Sequence, residues 1–414
     1  MNKVIKIAAR NLLRYRRRTV LTTLLITIGV VAMLLFVSTS GSFKAMMVGQ
    51  ITDSMLGDLQ IHKKGYVSSI DSLPLTMNMK PAMVEKAEDV LASTKNVEAW
   101  SPRIKLGAMF SNFAQTTSIR LNGVDPEKEM KTCPELIRRI IAGDSSTLVE
   151  RGKILIPELI AKGLKVGPGD SVVLVATNKD GSVNGINFTI QGVLEGISGP
   201  GGRDGYMHID DARELLRIGD GEISEIAVRL KQPEALSQTM HQLQNSLGKL
   251  TNQEGKQAFE IHDWTKLSPF SSIASMIDMM TLFIKIMLVA IVLISVMNVM
   301  IMAVYERIRE IGTIAAMGTL PSNILKLFVM EGFLLGLLGA ILGTLISVVI
   351  IVVLQHAELT FSFGRQADLT LHPLISIGDI AFASIMVVVV AVLASLQPAW
   401  KASRMNPIDA LRHV

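Results

Sequence analysis

The chain has 414 residues, 49% of them hydrophobic and 19% charged, with a formal net charge of +5 and a mean hydropathy of +0.41. It is too apolar for one soluble globule and too charged to lie wholly in a bilayer, so membrane and aqueous segments must alternate. Segment 41–270 carries 26 Lys/Arg against 28 Asp/Glu. The positive excess therefore belongs to the apolar remainder, where it reports membrane topology and gives no reason to expect nucleic acid.

Residues 1–18 contain Lys3, Lys6, Arg10, Arg14, Arg16, Arg17 and Arg18 and no acid. Val4, Ile7, Ala8, Leu12 and Leu13 fall at helical spacing, so 3–18 reads as an amphipathic helix on anionic headgroups or as a plain topology determinant. Residues 19–37 form a first apolar run of spanning length, since a bilayer core takes about 20 helical residues. A cleaved signal peptide competes for this run, with small residues at 38–41 near a cut, but the roughly 7–15 apolar residues of a signal core are exceeded. The first segment, 1–40, is thus expected to be a helix followed by a span.

Segment 41–270 is long enough for its own core. Its pattern predicts a helical extension at 42–56, a strand at 58–62, a proline-started helix at 81–93, and strands at 97–110 and 116–123. A helix near 134–142 follows, then strands near 154, at 172–176 and at 186–194. Asn178-Lys179-Asp180-Gly181 marks a hairpin turn between the last two, and 199–202 is a Gly/Pro loop. A helix at 210–216, a strand at 223–230 and a helix at 233–250 complete an α+β domain.

Three further apolar runs follow. The second span occupies 271–304 with an outer stalk, the third 327–355 and the fourth 374–397, joined by 305–326 and by a short loop at 356–373, with a tail at 398–414. The fold class expected is an α-helical membrane protein with four spans and a large α+β domain between the first and second. Basic residues at 1–18, at Arg307, Arg309 and Lys326, and at Lys401, Arg404 and Arg412 place both termini and 305–326 in the cytoplasm, leaving 41–270 and 356–373 outside. Segment 305–318 reads as a cytoplasmic docking helix for a soluble partner. Glu306, Arg307 and Glu310 are its polar contacts, and Ile308, Ile311 and Ile314 its apolar anchor. In the third span Gly332, Gly336, Gly339 and Gly343 form two small-x-x-x-small repeats, a close-packing face from which Leu337 points away. The second span is rich in methionine, and plain helix packing accounts for that as well as an adaptable surface does.

Catalytic chemistry is not legible. No Gly-x-x-x-x-Gly-Lys-Ser/Thr occurs, so ATP chemistry would sit on another chain. Cys133 is the single cysteine, the seven histidines lack metal-ligand spacing, and no Gly-x-Ser-x-Gly elbow exists. Neither catalytic residues nor a metal are expected, and no cofactor is expected on this chain.

Several motifs resemble a known family. Asn298-x-Met300, then Val304 to Gly312 as VYERIREIG, Ala316-Met317-Gly318, Ile324, Phe328 and Glu331 look like the FtsX-type domain of ABC-transporter permeases. Pro398-Ala399-x-x-Ala402-Ser403-Arg404-x-Asn406-Pro407-Ile408-Asp409-Ala410-Leu411-Arg412 is similar to its closing motif, and Ala9-Arg10-Asn11-Leu12-Leu13-Arg14 to its opening helix. Within 41–270, Asn122-Gly123-Val124-Asp125-Pro126, Ile156-Pro157-Glu158-Leu159 and Asp204-Gly205-Tyr206 resemble the LolC/LolE branch most.

The resemblance implies an inner-membrane permease that works by mechanotransmission as a dimer, with a second copy or a paralogue, on a pair of ABC ATPase subunits that bind ATP and Mg. The cargo implied is lipoprotein or lipid drawn from the outer leaflet, with a periplasmic carrier or adaptor as acceptor. Membrane lipids are partners as well. A MacB-like efflux permease and an FtsX-like regulator of a cell-wall hydrolase are the alternatives. Cargo would enter between the outer halves of the first two spans, past Leu34, Phe36, Met280 and Phe283. In LolC a proline-bearing hairpin recruits the carrier; 172–194 has no proline, a departure from that pattern.

Overall fold

A computed structural model describes residues 2–196, 204–250, 257–357, 360–363, 366–370, 373, 375–406 and 410. The loop expected at 199–202 and the closing motif from 407 on, Ala410 excepted, lie outside the described residues. In chain order the elements begin with α1 (Asn2–Arg14), α2 (Arg16–Ile51), β1 (Leu59–Lys63), α3 (Pro81–Ser93), β2 (Val97–Ser111) and β3 (Thr116–Val124). Then come α4 (Pro126–Thr132), β4 (Ile140–Gly143), β5 (Lys153–Pro157), α5 (Glu158–Leu164), β6 (Ser171–Thr177), β7 (Val183–Leu194) and β8 (Asp204–His208). The order continues with α6 (Ile209–Leu216), β9 (Glu225–Leu230), α7 (Leu236–Leu247), β10 (Phe259–Asp263) and α8 (Trp264–Leu267). Last are α9 (Ser271–Glu306), α10 (Ile308–Ala316), α11 (Pro321–His356), β11 (Thr360–Phe363), β12 (Gln366–Thr370) and α12 (Ile377–Ser403). Two compact units result, a helical one made of 1–46 with 274–414, and an α+β one at 47–273.

Among the described residues, four helices are long and apolar enough to cross a membrane: Arg16–Leu56, Ser271–Glu306, Pro321–His356 and Ile377–Ser403. In the helical unit α11 holds the centre. Its four expected glycines are all buried. A Cβ at Gly332 would lie 2.6 Å from that of Ser395, and one at Gly336 2.7 Å from that of Ala391, so this half of the stripe admits α12. A Cβ at Gly343 would lie 2.6 Å from that of Val30, and Gly339 faces Ile26, so the other half admits α2. The stripe is therefore a seam where one helix receives two neighbours within the protomer. Gly29 of α2 receives Val292 of α9 in the same way. Leu337 stays 38% exposed, off the seam.

The amphipathic helix expected over 3–18 stops at Arg14. A bend at Tyr15 hands Arg16, Arg17 and Arg18 to α2, and the Thr19 hydroxyl donates to the Leu12 carbonyl across the bend (2.8 Å). Of its five apolar residues Ala8 and Leu12 are buried, whereas Ile7 and Leu13 are exposed.

The α+β unit is built on a ten-stranded mixed sheet in the order β10-β1-β9-β2-β3-β8-β5-β7-β4, with β6 pairing β2 and β7. The fifteen-residue β2 organises it by pairing β3, β6 and β9. The hairpin expected at 178–181 forms: the Asn178 N–H donates to the Ser182 carbonyl (2.7 Å), and Gly181 takes φ +82°.

One expected helix is absent. Residues 134–142 instead give a short 3-10 turn, Ile137–Arg139, and β4, whose Ile140 pairs with Leu194. The helix sits earlier, as α4, where Pro126 takes the first turn and the Asp125 carboxylate accepts from the Glu127 and Lys128 N–H groups. Strand β8 was not legible because both its faces are buried, so it shows no alternation. A Cβ at its Gly205 would lie 2.5 Å from the Leu155 carbonyl oxygen.

Candidate functional site

The richest polar constellation of the helical unit lies where α9, α10, α11 and α1 converge. Helix α9 runs two residues past the expected span end, to Glu306, and breaks at Arg307, whose φ of −114° and ψ of 19° leave the helical region. Helix α10 follows at once and closes at Gly318, with φ +88°. Pro321 then opens α11 from its first turn. The docking segment is thus a short helix between two long ones.

Arg307 is buried at its centre. Its Nη1 donates to Glu331 Oε1 at 2.9 Å and its Nε to Glu310 Oε2 at 3.1 Å. The guanidinium also lies 5.6 Å from the ring centroids of Tyr15 and Phe328. Glu331, on α11, has no exposed surface; Asn11 of α1 donates to its Oε1 at 2.8 Å, and its Oε2 has no partner among the described residues. Arg14 and the Tyr15 hydroxyl reach Glu310 at 3.4 Å, and Arg18 reaches Glu306 at 3.3 Å. Removing one member of such a buried pair strands the other charge, which costs far more than the pair contributes.

This geometry divides the expected docking residues. Arg307, Ile308 and Ile311 are buried in the chain's own core, Ile314 and Glu310 are half-buried, and only Glu306 is exposed. The face of α10 open to a partner is instead Arg309, Thr313, Ala316 and Met317, extended by Leu320 at 64% exposure. Periodicity identified the helix; which stripe faces inward depended on where α1 and α11 lie, which spacing alone does not give.

The residues expected to line a cargo path are also divided. Leu34 is buried in the apolar core of the helical unit, Phe36 is half-buried, and Met280 and Phe283 are exposed. The outer parts of α2 and α9 are tied together by the Ser40 and Thr281 hydroxyls (2.7 Å) and by Lys44 and Asp278 (2.5 Å).

In the α+β unit a second buried network went unread in the sequence. Arg103 donates to both oxygens of Glu129 (3.0 and 2.6 Å), to the Met55 carbonyl (2.7 Å) and to Cys133 Sγ (3.1 Å). Arg139 donates to the Ser54 carbonyl and Arg229 pairs with Asp53, so three arginines grip the π-helical turn Thr52–Leu56. Burial works to raise the Glu225 carboxyl, but Lys105, His62 and Arg103 together hold it well below the usual carboxylate range. Burial pushes the Cys133 thiol up to about 12, which leaves it unreactive. Among the described residues no three His, Cys, Asp or Glu are grouped to hold a metal ion.

Four helices of spanning length among the described residues, an α+β unit and a short helix between two of the long ones, held by a buried ion pair, fit a multi-pass membrane subunit. The family model of the MacB-like periplasmic core domain matches residues 19–246, and that of the FtsX-like permease C-terminal domain matches 282–407. The chain belongs to the family of ABC-transporter permeases that includes MacB, LolC and LolE. It is 21% identical to the lipoprotein-releasing system transmembrane protein LolC of Neisseria meningitidis serogroup B, over 94% of this chain and 92% of that one. It is 27% identical to the macrolide export ATP-binding/permease protein MacB 2 of Aeromonas hydrophila, over 98% of this chain and 60% of that one. The solved periplasmic region of MacB from Actinobacillus actinomycetemcomitans aligns with half of this chain and 89% of its own, with 15% identity and a TM-score of 0.34.

Proposed function

We propose that this permease extracts lipoprotein or lipid from the outer leaflet of the inner membrane, driven by ATP hydrolysis on a separate subunit. The observation that carries this reading is the nearly end-to-end match, 94% of one chain and 92% of the other, with a protein described as lipoprotein-releasing. Both termini would be cytoplasmic, which puts α10 where an ATPase can reach it. The ATPase pair would seat on Arg309, Thr313, Met317 and Leu320. Its closure would displace α10, and Arg307 would pass that displacement through Glu331 to α11 and through Tyr15 and Glu310 to α1. Helix α9, 36 residues long, would carry it outward. Cargo already in the outer leaflet needs no aqueous pore, and its entry would part the Ser40–Thr281 and Lys44–Asp278 ties. A second permease, identical or paralogous, would complete the assembly.

Efflux of a small molecule through an adaptor and duct is the second reading, favoured by the match of 98% of this chain to MacB 2. Purification of the tagged chain from its native membrane, followed by mass spectrometry of what accompanies it, separates the two. An ATPase with a lipidated protein or lipid supports extraction. An adaptor with an outer-membrane duct overturns it in favour of efflux.

A further inference from the structure

At the end of the helical unit that holds α10, some cations are paired with carboxylates and two others lie beside aromatic side chains. Arg14, Arg18 and Arg307 each meet a carboxylate, at Glu310, Glu306 and Glu331 respectively. Lys401 and Arg404, near the C-terminal end of α12, meet none among the described residues and instead lie against aromatic rings. The Lys401 ammonium sits 5.6 Å from the Tyr305 ring centroid and donates to the Tyr305 hydroxyl at 3.2 Å. The Arg404 guanidinium sits 4.5 Å above the Trp400 ring, one helical turn away. Tyr305 and Trp400 are each 52% exposed. All four residues lie at the ends of spanning-length helices, Tyr305 next to last in α9 and Trp400 in the closing turn of α12.

We infer that Tyr305, Trp400, Lys401 and Arg404 form a binding site for the headgroup of an anionic phospholipid. Amphipathic aromatic side chains settle at headgroup depth. Two cations without carboxylate partners among the described residues at that depth attract a negative phosphodiester. The donors are of the right kind: the ammonium and guanidinium supply charge-assisted hydrogen bonds, and the Tyr305 hydroxyl and Trp400 indole add neutral ones. The Tyr305 hydroxyl holds Lys401, and the Trp400 ring face holds Arg404, before the lipid arrives, so little is lost in ordering them. The site joins the last turn of α9, next to the Arg307 break, to the end of α12, so a bound headgroup would brace the base of α10 from outside the Arg307–Glu331 pair.

The test uses the full chain reconstituted in vesicles of phosphatidylcholine with a minor fraction of photoactivatable phosphatidylglycerol. Peptide mass spectrometry then locates the adducts. Labelling should fall on Tyr305 and on 400–404, and an equal amount of photoactivatable phosphatidylcholine should label them far less. Lys401→Gln with Arg404→Gln should lower the phosphatidylglycerol preference about twenty-fivefold, fivefold for each cation lost at a membrane surface. The charge-keeping swap Lys401→Arg with Arg404→Lys should retain most of it. Wild-type adducts confined to the basic face of α1, or equal labelling by the two lipids, would overturn the assignment whether or not the variants fold. Unchanged preference in the double glutamine variant, with loss of ATPase capture, would assign the patch to protein docking instead.

Discussion

Arg307→Met is the most informative single change in the helical unit. It leaves Glu331 fully buried, with Asn11 as its remaining donor and one carboxylate oxygen that already lacks a partner. Stranding a buried charge in this way costs about 3–5 kcal/mol. For a unit of this size that lowers the melting midpoint on the order of 10 °C. Replacing both partners, Arg307→Met with Glu331→Leu, removes the stranded charge and should recover most of the loss, because an apolar pair of similar volume is often neutral. The double variant would then be stable but unlinked, with ATP hydrolysis no longer matched to export. Unfolding of the purified chain, wild type against single and double variants, completes the cycle. A single variant within about 1 kcal/mol of wild type, or a double variant no better than the single, would show that Arg307 does not hold α10 to α11 as described.

On the glycine seam, Gly336→Leu must push α12 away from a Cβ position 2.7 Å from that of Ala391, costing about 1–3 kcal/mol or more. Leu337→Ala should cost less than about 1 kcal/mol; the reverse order in melting experiments would mean the packing face is misassigned. The depressed Glu225 carboxyl contributes stability that is complete above its unfolded value near 4.5 and is lost as pH falls from there toward its folded value. Asp53, Asp58 and Asp204, raised by burial, act in the opposite sense, so Glu225→Gln isolates its share by flattening the acid limb of unfolding followed by fluorescence. Cys133 should resist maleimide until the chain is denatured, which leaves a Ser40→Cys, Thr281→Cys pair free to be oxidised selectively. That disulfide should form, halt export and release it on reduction, whereas export at the wild-type rate with the bond intact would mean α2 and α9 need not part.

The long apolar helices and the close approach at the glycine stripe were legible because helix length and four-residue spacing are local properties. So was the hairpin at Asn178, whose turn chemistry is written in four adjacent residues. Strand β8 was not, since it is only five residues long and buried on both faces. The site was legible in part. The charged motif from Tyr305 to Gly312 marked a short helix between two long ones, but a helix with apolar and charged stripes does not say which stripe meets its own chain. Ile308 and Ile311 proved to be core, and Glu331, a carboxylate inside an apolar run, was the clue that Arg307 turns inward. The grip of Arg103, Arg139 and Arg229 on Thr52–Leu56 joins residues more than 45 positions apart, beyond the reach of any local pattern.

In the proposed function, ATP-driven extraction acts through α10. Its most direct measurement is release of a lipid-modified protein from vesicles that hold the purified permease and its ATPase, with wild type compared to Met317→Asp combined with Leu320→Asp. Both residues lie on the exposed face, at 73% and 64% exposure, so the change should spare folding. The prediction is ATP-dependent release by wild type, lost in the variant together with ATPase capture. Release by the variant at the wild-type rate, or no release of lipidated cargo by a wild-type complex that hydrolyses ATP, would contradict it.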